Sequence, residues 1–268
     1  MKASPYRVAL AAADYDRLAV PIQFAAPAND LVKRLNLAAG ARVLDVGAGT
    51  GAATVPATTV VGPTGFVIGA DAAPEMLQVL RNKGPYHAVA AEAPRLPFGD
   101  CAFDAVLASF VVTHFKNYRD GLADMVRVLR PGGRLGLTTW GNSPNAPAQC
   151  WTNVAGRFVN TDELKEAFES AIPWADWFSN DANLRQALTA VGLTSVDVSR
   201  PEYLFRIRVT DYLDLRDASV EGRLLRRRLG RGWTNFTGKY ETSSHVNSRT
   251  GLNTFATSAW PWLRSPRI

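Results

Sequence analysis

Between residues 40 and 140, short apolar runs alternate with stretches of helical spacing, and this rhythm constrains the chain more than any other feature. The runs RVLDV (42–46), FVIGAD (66–71), HAVA (87–90), Ala105–Phe110 and RLGLTTW (134–140) have the length and apolar content of buried strands. APEMLQVLRNKG (73–84), with Pro74 in its first turn and Gly84 at its end, and RDGLADMVRVLRPGG (119–133), closed by a Pro-Gly-Gly turn, read as helices. A parallel neighbour can be reached only by a crossover, so this alternation argues for α/β class: a Rossmann-like, doubly wound, mainly parallel sheet with helices on both faces.

The first strand runs into VLDVGAGTGAAT (43–54). Gly47, Gly49 and Gly51 remove side chains that would keep the backbone from a ligand. Asp71 ends the next strand 20 residues beyond Gly51, where a carboxylate can accept from both hydroxyls of a ribose. The relaxed dinucleotide fingerprint, Gly47–x–Gly49–x–x–Ala52, is also satisfied, so the loop alone serves NAD or S-adenosylmethionine (SAM) equally. A dinucleotide site holds pyrophosphate at a helix N-terminus. SAM carries an amino acid group and a sulfonium instead, which suits an acid beside the loop, here Asp45. The helix after the loop, ATVPATTVV (53–61), holds Pro56 and three threonines, and irregular first turns are expected there.

Residues 8–20 and about 28–37 read as helices, the second with Leu31, Val32, Leu35 and Leu37 on one face. After Trp140 the rhythm breaks into helical pieces rich in aromatics (141–180), then a helix (180–192), two candidate closing strands in TSVDVSR and YLFRIRV, and a helical stretch (211–230). The expected organisation is an N-terminal helical cap (1–40), the sheet core (41–140), a helical lid insertion after strand five (141–180), a closing helix and strands of the core (181–232), and a basic polar tail (233–268) with no assigned structure.

At 47% hydrophobic and 20% charged residues the composition is that of a globular protein, and no apolar stretch approaches the ~18–20 residues of a membrane span. Asp14 and Asp16 sit where a secretory signal would be apolar, and Cys101 and Cys150 form neither a disulfide framework nor a zinc site, so a cytoplasmic location is expected. Residues 221–268 carry nine Lys/Arg against Glu221 and Glu241; with +6 overall, the first 220 residues sum to −1. A solvated helix face accounts for that basic surplus, and a phosphate-bearing partner is the alternative.

VLDVGAGTG, GADAAPEML, AEAPRLPFGDCAFDAVLASF and VRVLRPGGRLGLTTW resemble, in order and spacing, the successive motifs of class I SAM-dependent methyltransferases, most nearly the ubiquinone and menaquinone C-methyltransferases. The resemblance covers roughly residues 10–200 and implies SAM as cofactor. It implies that Gly47, Gly49 and Gly51 line the methionine part, that Asp45 sits beside the amino group through water, and that Asp71 holds the ribose. Ala72 and Met76 would pack on the adenine, with Glu92 (where the family usually has Asp) and the Ala93 amide at its edge. Ser109 would face the methionine amine, and Tyr15 would fold over the cofactor. His114, in SFVVTHF, stands where the family often has a histidine and is the candidate general base. No metal is expected.

The Asn/Asp-Pro-Pro-aromatic motif of nucleic-acid amine methylation is replaced by SFVVTH, so nucleic acid is not an expected acceptor. Cys101 lacks the surroundings of an activated thiolate. Trp151, Phe158, Phe168, Trp174, Trp177 and Phe178 in the lid suit a flat or lipophilic small-molecule acceptor. The resulting reading is methyl transfer to O, N or C of a small aromatic or lipophilic metabolite, with a homodimer as the expected assembly. The alternatives are a SAM-fold protein of another reaction class, such as a cyclase, a non-catalytic or RNA-associated protein using the basic tail, and a NAD-dependent reductase.

Overall fold

The computed structural model describes residues 12–141, 146–243, 252–258 and 262–264. A short turn of helix, α1 (Ala12–Asp14), leads into a π-helical segment, Tyr15–Phe24, which holds Pro21, and then into α2 (Ala25–Leu35). Residues 8–11 of the first expected helix lie outside the described residues. The core follows as β1 (Arg42–Val46), α3 (Thr54–Val61), β2 (Phe66–Asp71), α4 (Pro74–Asn82), β3 (His87–Ala90), β4 (Phe103–Ser109), a 3₁₀ turn (Val112–His114), α5 (Tyr118–Arg127) and β5 (Leu129–Thr138). Then come α6 (Ala146–Ala155), α7 (Thr161–Ala171), α8 (Ala175–Phe178), α9 (Asp181–Ala190), β6 (Ser195–Asp197), β7 (Glu202–Arg208), α10 (Val209–Ala218), α11 (Val220–Leu229), α12 (Trp233–Ser243), β8 (Leu252–Ser258) and β9 (Trp262–Arg264).

The main sheet has the order β3-β2-β1-β4-β5-β9-β6. β1 pairs in parallel with both β2 and β4, so the chain reverses its winding direction beside β1, which places the glycine loop at the switch point where such sheets bind ligands. The central strands are buried on both faces: Val43, Leu44, Val106, Leu107 and Leu137 are inaccessible to solvent, each contributing about 1.5–3 kcal/mol. On one face α2 and α3 cover Val43, Val67 and Leu107. On the other, α5 and α9 cover Leu44, Val106 and Leu135.

Three local expectations meet a different outcome. α3 forms despite Pro56, because the helix starts at Thr54 and Pro56 occupies its first turn, where a missing N–H costs no intrahelical bond. The Pro-Gly-Gly turn is absorbed into β5 as an excursion: Phe103 pairs with Leu129 but Ala105 pairs with Arg134, and Gly132 takes φ +75°. Only one of the two candidate closing strands joins the main sheet. β6 takes the edge, whereas β7 pairs with β8 in a separate two-stranded sheet. The gap beside β5 is filled by β9, the one reversed strand, drawn from the tail left unassigned above. Pro201 separates β6 from β7, and a three-residue strand such as β9 carries no period to read.

The helices after β5 join a layer larger than the expected insertion. α6 and α7 pack with α10, α11 and α12 around Trp151, Leu164, Tyr212, Leu225, Phe236 and Tyr240. Arg228 of α11 bridges Glu163 of α7 at 2.9 Å. The lid aromatics accordingly divide. Trp151 and Phe158 enter this helical layer, while Trp174, Trp177 and Phe178 pack on Tyr118 against the sheet. The basic run of α11 is largely spent inside the chain, since Arg226 pairs with Asp217 and Arg223 donates to the Ala218 carbonyl at 2.6 Å. Among the described residues no helix is long and apolar enough to cross a membrane, and no group of three or more His, Cys, Asp or Glu side chains is placed to hold a metal.

Candidate functional site

The loop after β1 is tied to the end of β2, where the Gly47 and Ala48 amides both donate to the Ala70 carbonyl, at 2.8 and 3.0 Å. Gly47, Gly49 and Gly51 hold φ of +71°, +54° and +96°, a region that L side chains disfavour. Their surroundings differ in a way the spacing does not show. A Cβ on Gly47 would lie 2.3 Å from Val111 and one on Gly51 2.5 Å from Leu80, so these two glycines serve the packing of the protein itself. At Gly49 alone a Cβ would meet nothing closer than the Tyr15 ring, at an ordinary contact distance of 3.9 Å.

Two carboxylates flank the loop. Asp45 is fully buried; its Oδ2 accepts from the Thr54 hydroxyl at 2.6 Å, and Oδ1 has no partner among the described residues. Burial pushes its pKa up to about 7, with the charge of Asp71 adding and the Thr54 bonds opposing. Asp71 accepts from the Gly49 amide through Oδ2 and the Ala73 amide through Oδ1, both at 2.8 Å. Burial raises its pKa and those amide bonds work against the rise. It therefore orders the glycine loop directly.

Ala72 and Met76 lie half-buried at the start of α4, beside Asp71. Glu92 is exposed and faces Arg95 at 3.7 Å, while Ala93 is buried. The Ser109 hydroxyl sits 3.3 Å from that of Thr138, between the ends of β4 and β5. Tyr15 comes to Gly49 from the π-helical segment.

The sequence reading missed two features here. The first is a clamp: Asp16 Oδ1 accepts from the Thr50 hydroxyl at 2.6 Å and from Lys83 Nζ at 2.5 Å, and Lys83 also donates to the Thr50 carbonyl at 2.8 Å. It fastens the π-helical segment across the glycine loop through residues 67 apart, a separation no local pattern reveals. The second is an aromatic chain, Tyr15–Phe24–Phe110–Trp140, with successive ring centroids 5.5, 5.3 and 4.3 Å apart. Phe110 holds φ +57°, and its amide donates to both the carbonyl and the hydroxyl of Thr138, at 3.0 and 3.1 Å. A bulky residue there is held against its preference by those bonds. Phe110 directly follows β4 and Trp140 stands two residues past β5, and position alone was the available signal.

His114 closes the 3₁₀ turn after β4. Its Nδ1–H donates to the Ala171 carbonyl at 3.2 Å, joining the sheet end to α7. Burial lowers its pKa, and carbonyl contacts from Ala171 and Phe110 oppose the shift.

Residues 44–137 match the family model of a methyltransferase domain. The chain is 43% identical over 103 residues to the ubiquinone/menaquinone biosynthesis C-methyltransferase UbiE of Stutzerimonas stutzeri, covering 36% of this chain and 40% of that protein. The chain thus spans about two fifths of that relative's length. In fold it is similar to a putative methyltransferase of Bacillus halodurans, with a TM-score of 0.58 and 20% identity, covering 89% of this chain and 98% of that one. It is also similar to the [4+2]-cyclase SpnF, with a TM-score of 0.55 and 22% identity, covering 89% and 80%. At such identities the structural likenesses concern the fold alone. Over residues 44–137 the chain is similar to methyltransferase domains. The curated relatives it resembles over that region are ubiquinone and menaquinone C-methyltransferases.

Proposed function

We propose that the protein transfers a methyl group from SAM to a small aromatic or lipophilic acceptor. The observation that carries this reading is the aromatic chain from Tyr15 to Trp140, which starts against Gly49, the one glycine of the loop where a Cβ would not clash. A flat acceptor laid on those rings would be next to the cofactor loop.

The residues fit the cofactor. The unpartnered buried Oδ1 of Asp45 suits an ammonium group, received directly or through water, and Asp71 retains lone pairs for ribose hydroxyls after binding two amides. Ala72 and Met76 offer apolar surface for adenine, with Glu92 and Ala93 at its edge, and Ser109 flanks the methionine end. SAM supplies an electrophilic methyl on a sulfonium. What the chain contributes is alignment and exclusion of water, because displacement at carbon needs a general base only when the acceptor arrives protonated. We assign His114 to tethering α7 to the end of β4, since it is buried there and its Nδ1–H donates to the Ala171 carbonyl.

Calorimetric titration with S-adenosylhomocysteine (SAH), with NADH in parallel, tests the cofactor; micromolar binding of the former alone is expected. Label transfer from methyl-tritiated SAM to phenols and hydroquinones tests the reaction. Product formation from an acceptor with no SAH released would favour the second reading, a cyclase-like reaction, for which the engagement of His114 is the supporting observation. Binding of neither nucleotide would defeat both.

A further inference from the structure

The loop that joins β3 to β4 is held by two side chains of α5 that have so far been given no part in the cofactor site. Asp124 is buried inside that helix, a position that ordinarily disfavours aspartate. Its Oδ2 accepts from the Leu96 amide at 2.7 Å and its Oδ1 from Nε of Arg127 at 2.9 Å. Arg127 spreads its guanidinium over the same loop. Nη2 donates to the Leu96 carbonyl at 3.1 Å, and Nη1 donates to the Phe98 carbonyl at 2.7 Å and to Asp100 at 2.8 Å. A buried carboxylate is costly unless it is paired and hydrogen-bonded, and here the pairing is directed at the backbone of one loop.

The other end of that loop starts beside Asp71. β3 runs parallel to β2 with Ala90 opposite Asp71, and the Ala91 amide donates to the Asp71 carbonyl at 3.0 Å. A base carried by a ribose on Asp71 is thus next to residues 92–95. There the Arg95 amide donates back to the Glu92 carbonyl at 2.9 Å, in a turn that leaves the Glu92 side chain exposed. The next residue is Leu96, whose amide and carbonyl are both held by α5. Adenine presents an amine donor at C6 and an acceptor at N1, which a carboxylate and a backbone amide match; a 6-oxopurine presents the reverse. Resting on the cofactor reading above, we propose that Asp124 and Arg127 are positioning residues for base selection: they fix the turn so that Glu92 and the Ala93 amide accept adenine and reject a 6-oxopurine.

Two ligands that differ only in the base test this by calorimetry: SAH and S-inosylhomocysteine, its 6-oxopurine counterpart. The wild type should prefer SAH by at least about tenfold, from two matched hydrogen bonds that the oxo compound cannot make. Asp124→Asn keeps the shape and an acceptor for the Leu96 amide but removes the charge facing Arg127. Arg127→Lys keeps the charge but loses the fork that reaches Leu96, Phe98 and Asp100 together. In each variant the preference should fall below about threefold, because SAH binds more weakly while S-inosylhomocysteine, which gains nothing from the turn, keeps its affinity. Glu92→Ala sets the scale for a lost reader. A purely structural role would weaken both ligands alike or neither, and a preference kept in both variants would overturn the proposal. Should Asp124→Asn fail to fold, Arg127→Lys decides alone, since that side chain is 35% exposed and lies at the end of α5. Binding of both ligands to the wild type without preference would overturn base selection and leave the cofactor reading standing. Binding of neither would bring down the cofactor reading, and this proposal with it.

Discussion

The sheet core and the helical layer are both built on buried apolar side chains, yet they are assembled from different kinds of information. In the core, most paired strands follow one another along the chain, as β1 meets β2 twenty-odd residues on, with β1–β4 and β5–β9 the longer-range pairs. In the helical layer, Trp151 meets Phe236 and Glu163 meets Arg228, pairing an insertion after β5 with a segment beyond β7. The core therefore presents a periodic pattern, and the layer presents amphipathic helices whose partners only the fold selects. The proposed reaction lies where the two regions meet.

The largest expected effect separates the regions. Phe236→Ala removes a fully buried ring that touches Trp151 and Phe158, and should destabilise the layer by about 3–5 kcal/mol. If the core stands apart, hydrogen exchange will rise in α6, α7 and α10–α12 while β1, β2 and β4 keep their protection. Uniform loss of protection would show one cooperative unit and dissolve the comparison.

Within the core, Gly47→Ala should cost about 1–3 kcal/mol through a strained φ and a Cβ driven into Val111. Adding Val111→Ala should recover part of that loss in a thermal melt. No recovery would mean that the backbone angle, rather than the contact, sets the cost. Asp71→Ala should weaken SAH by about 1–3 kcal/mol through lost charged hydrogen bonds and a loosened Gly49 amide. An unchanged calorimetric Kd would remove Asp71 from the cofactor site.

The pH response should be smaller and specific to Asp45. Its carboxyl titrates near 7 when folded and at an ordinary 3.8 when unfolded, so the folded chain binds the extra proton between those values. Stability of the ligand-free protein should fall as pH rises from about 4 to 7, and Asp45→Asn should raise the unfolding free energy at pH 8 by a few kcal/mol at most. The cofactor's ammonium needs the ionised carboxylate, so SAH affinity should instead strengthen by up to about tenfold from pH 6 to 8. Asp45→Asn should flatten that slope; a slope kept in the variant would place the titrating group elsewhere.

The smallest effect concerns the junction itself. His114→Gln can still donate to the Ala171 carbonyl and should lower turnover less than His114→Ala, without a new pH dependence, if the residue is a tether. A pH-dependent loss in both variants, with SAH affinity kept, would make it a base.

The sequence alone determined the central sheet, because strands buried on both faces and joined by helices leave an apolar rhythm that few other folds would produce. It also marked the loop and both acids, since a positive-φ turn demands glycine and a carboxylate at a strand end has few structural uses. Tertiary structure decided what each of those residues faces. That Gly47 and Gly51 accommodate Val111 and Leu80 while Gly49 has no such close neighbour depends on side chains outside the motif. It also decided which strand fills the gap beside β5, how the lid aromatics divide between two layers, and that Asp16 and Lys83 clamp the loop. These are contacts between distant segments, set by loop closure and shape rather than by any period a reader can follow along the chain.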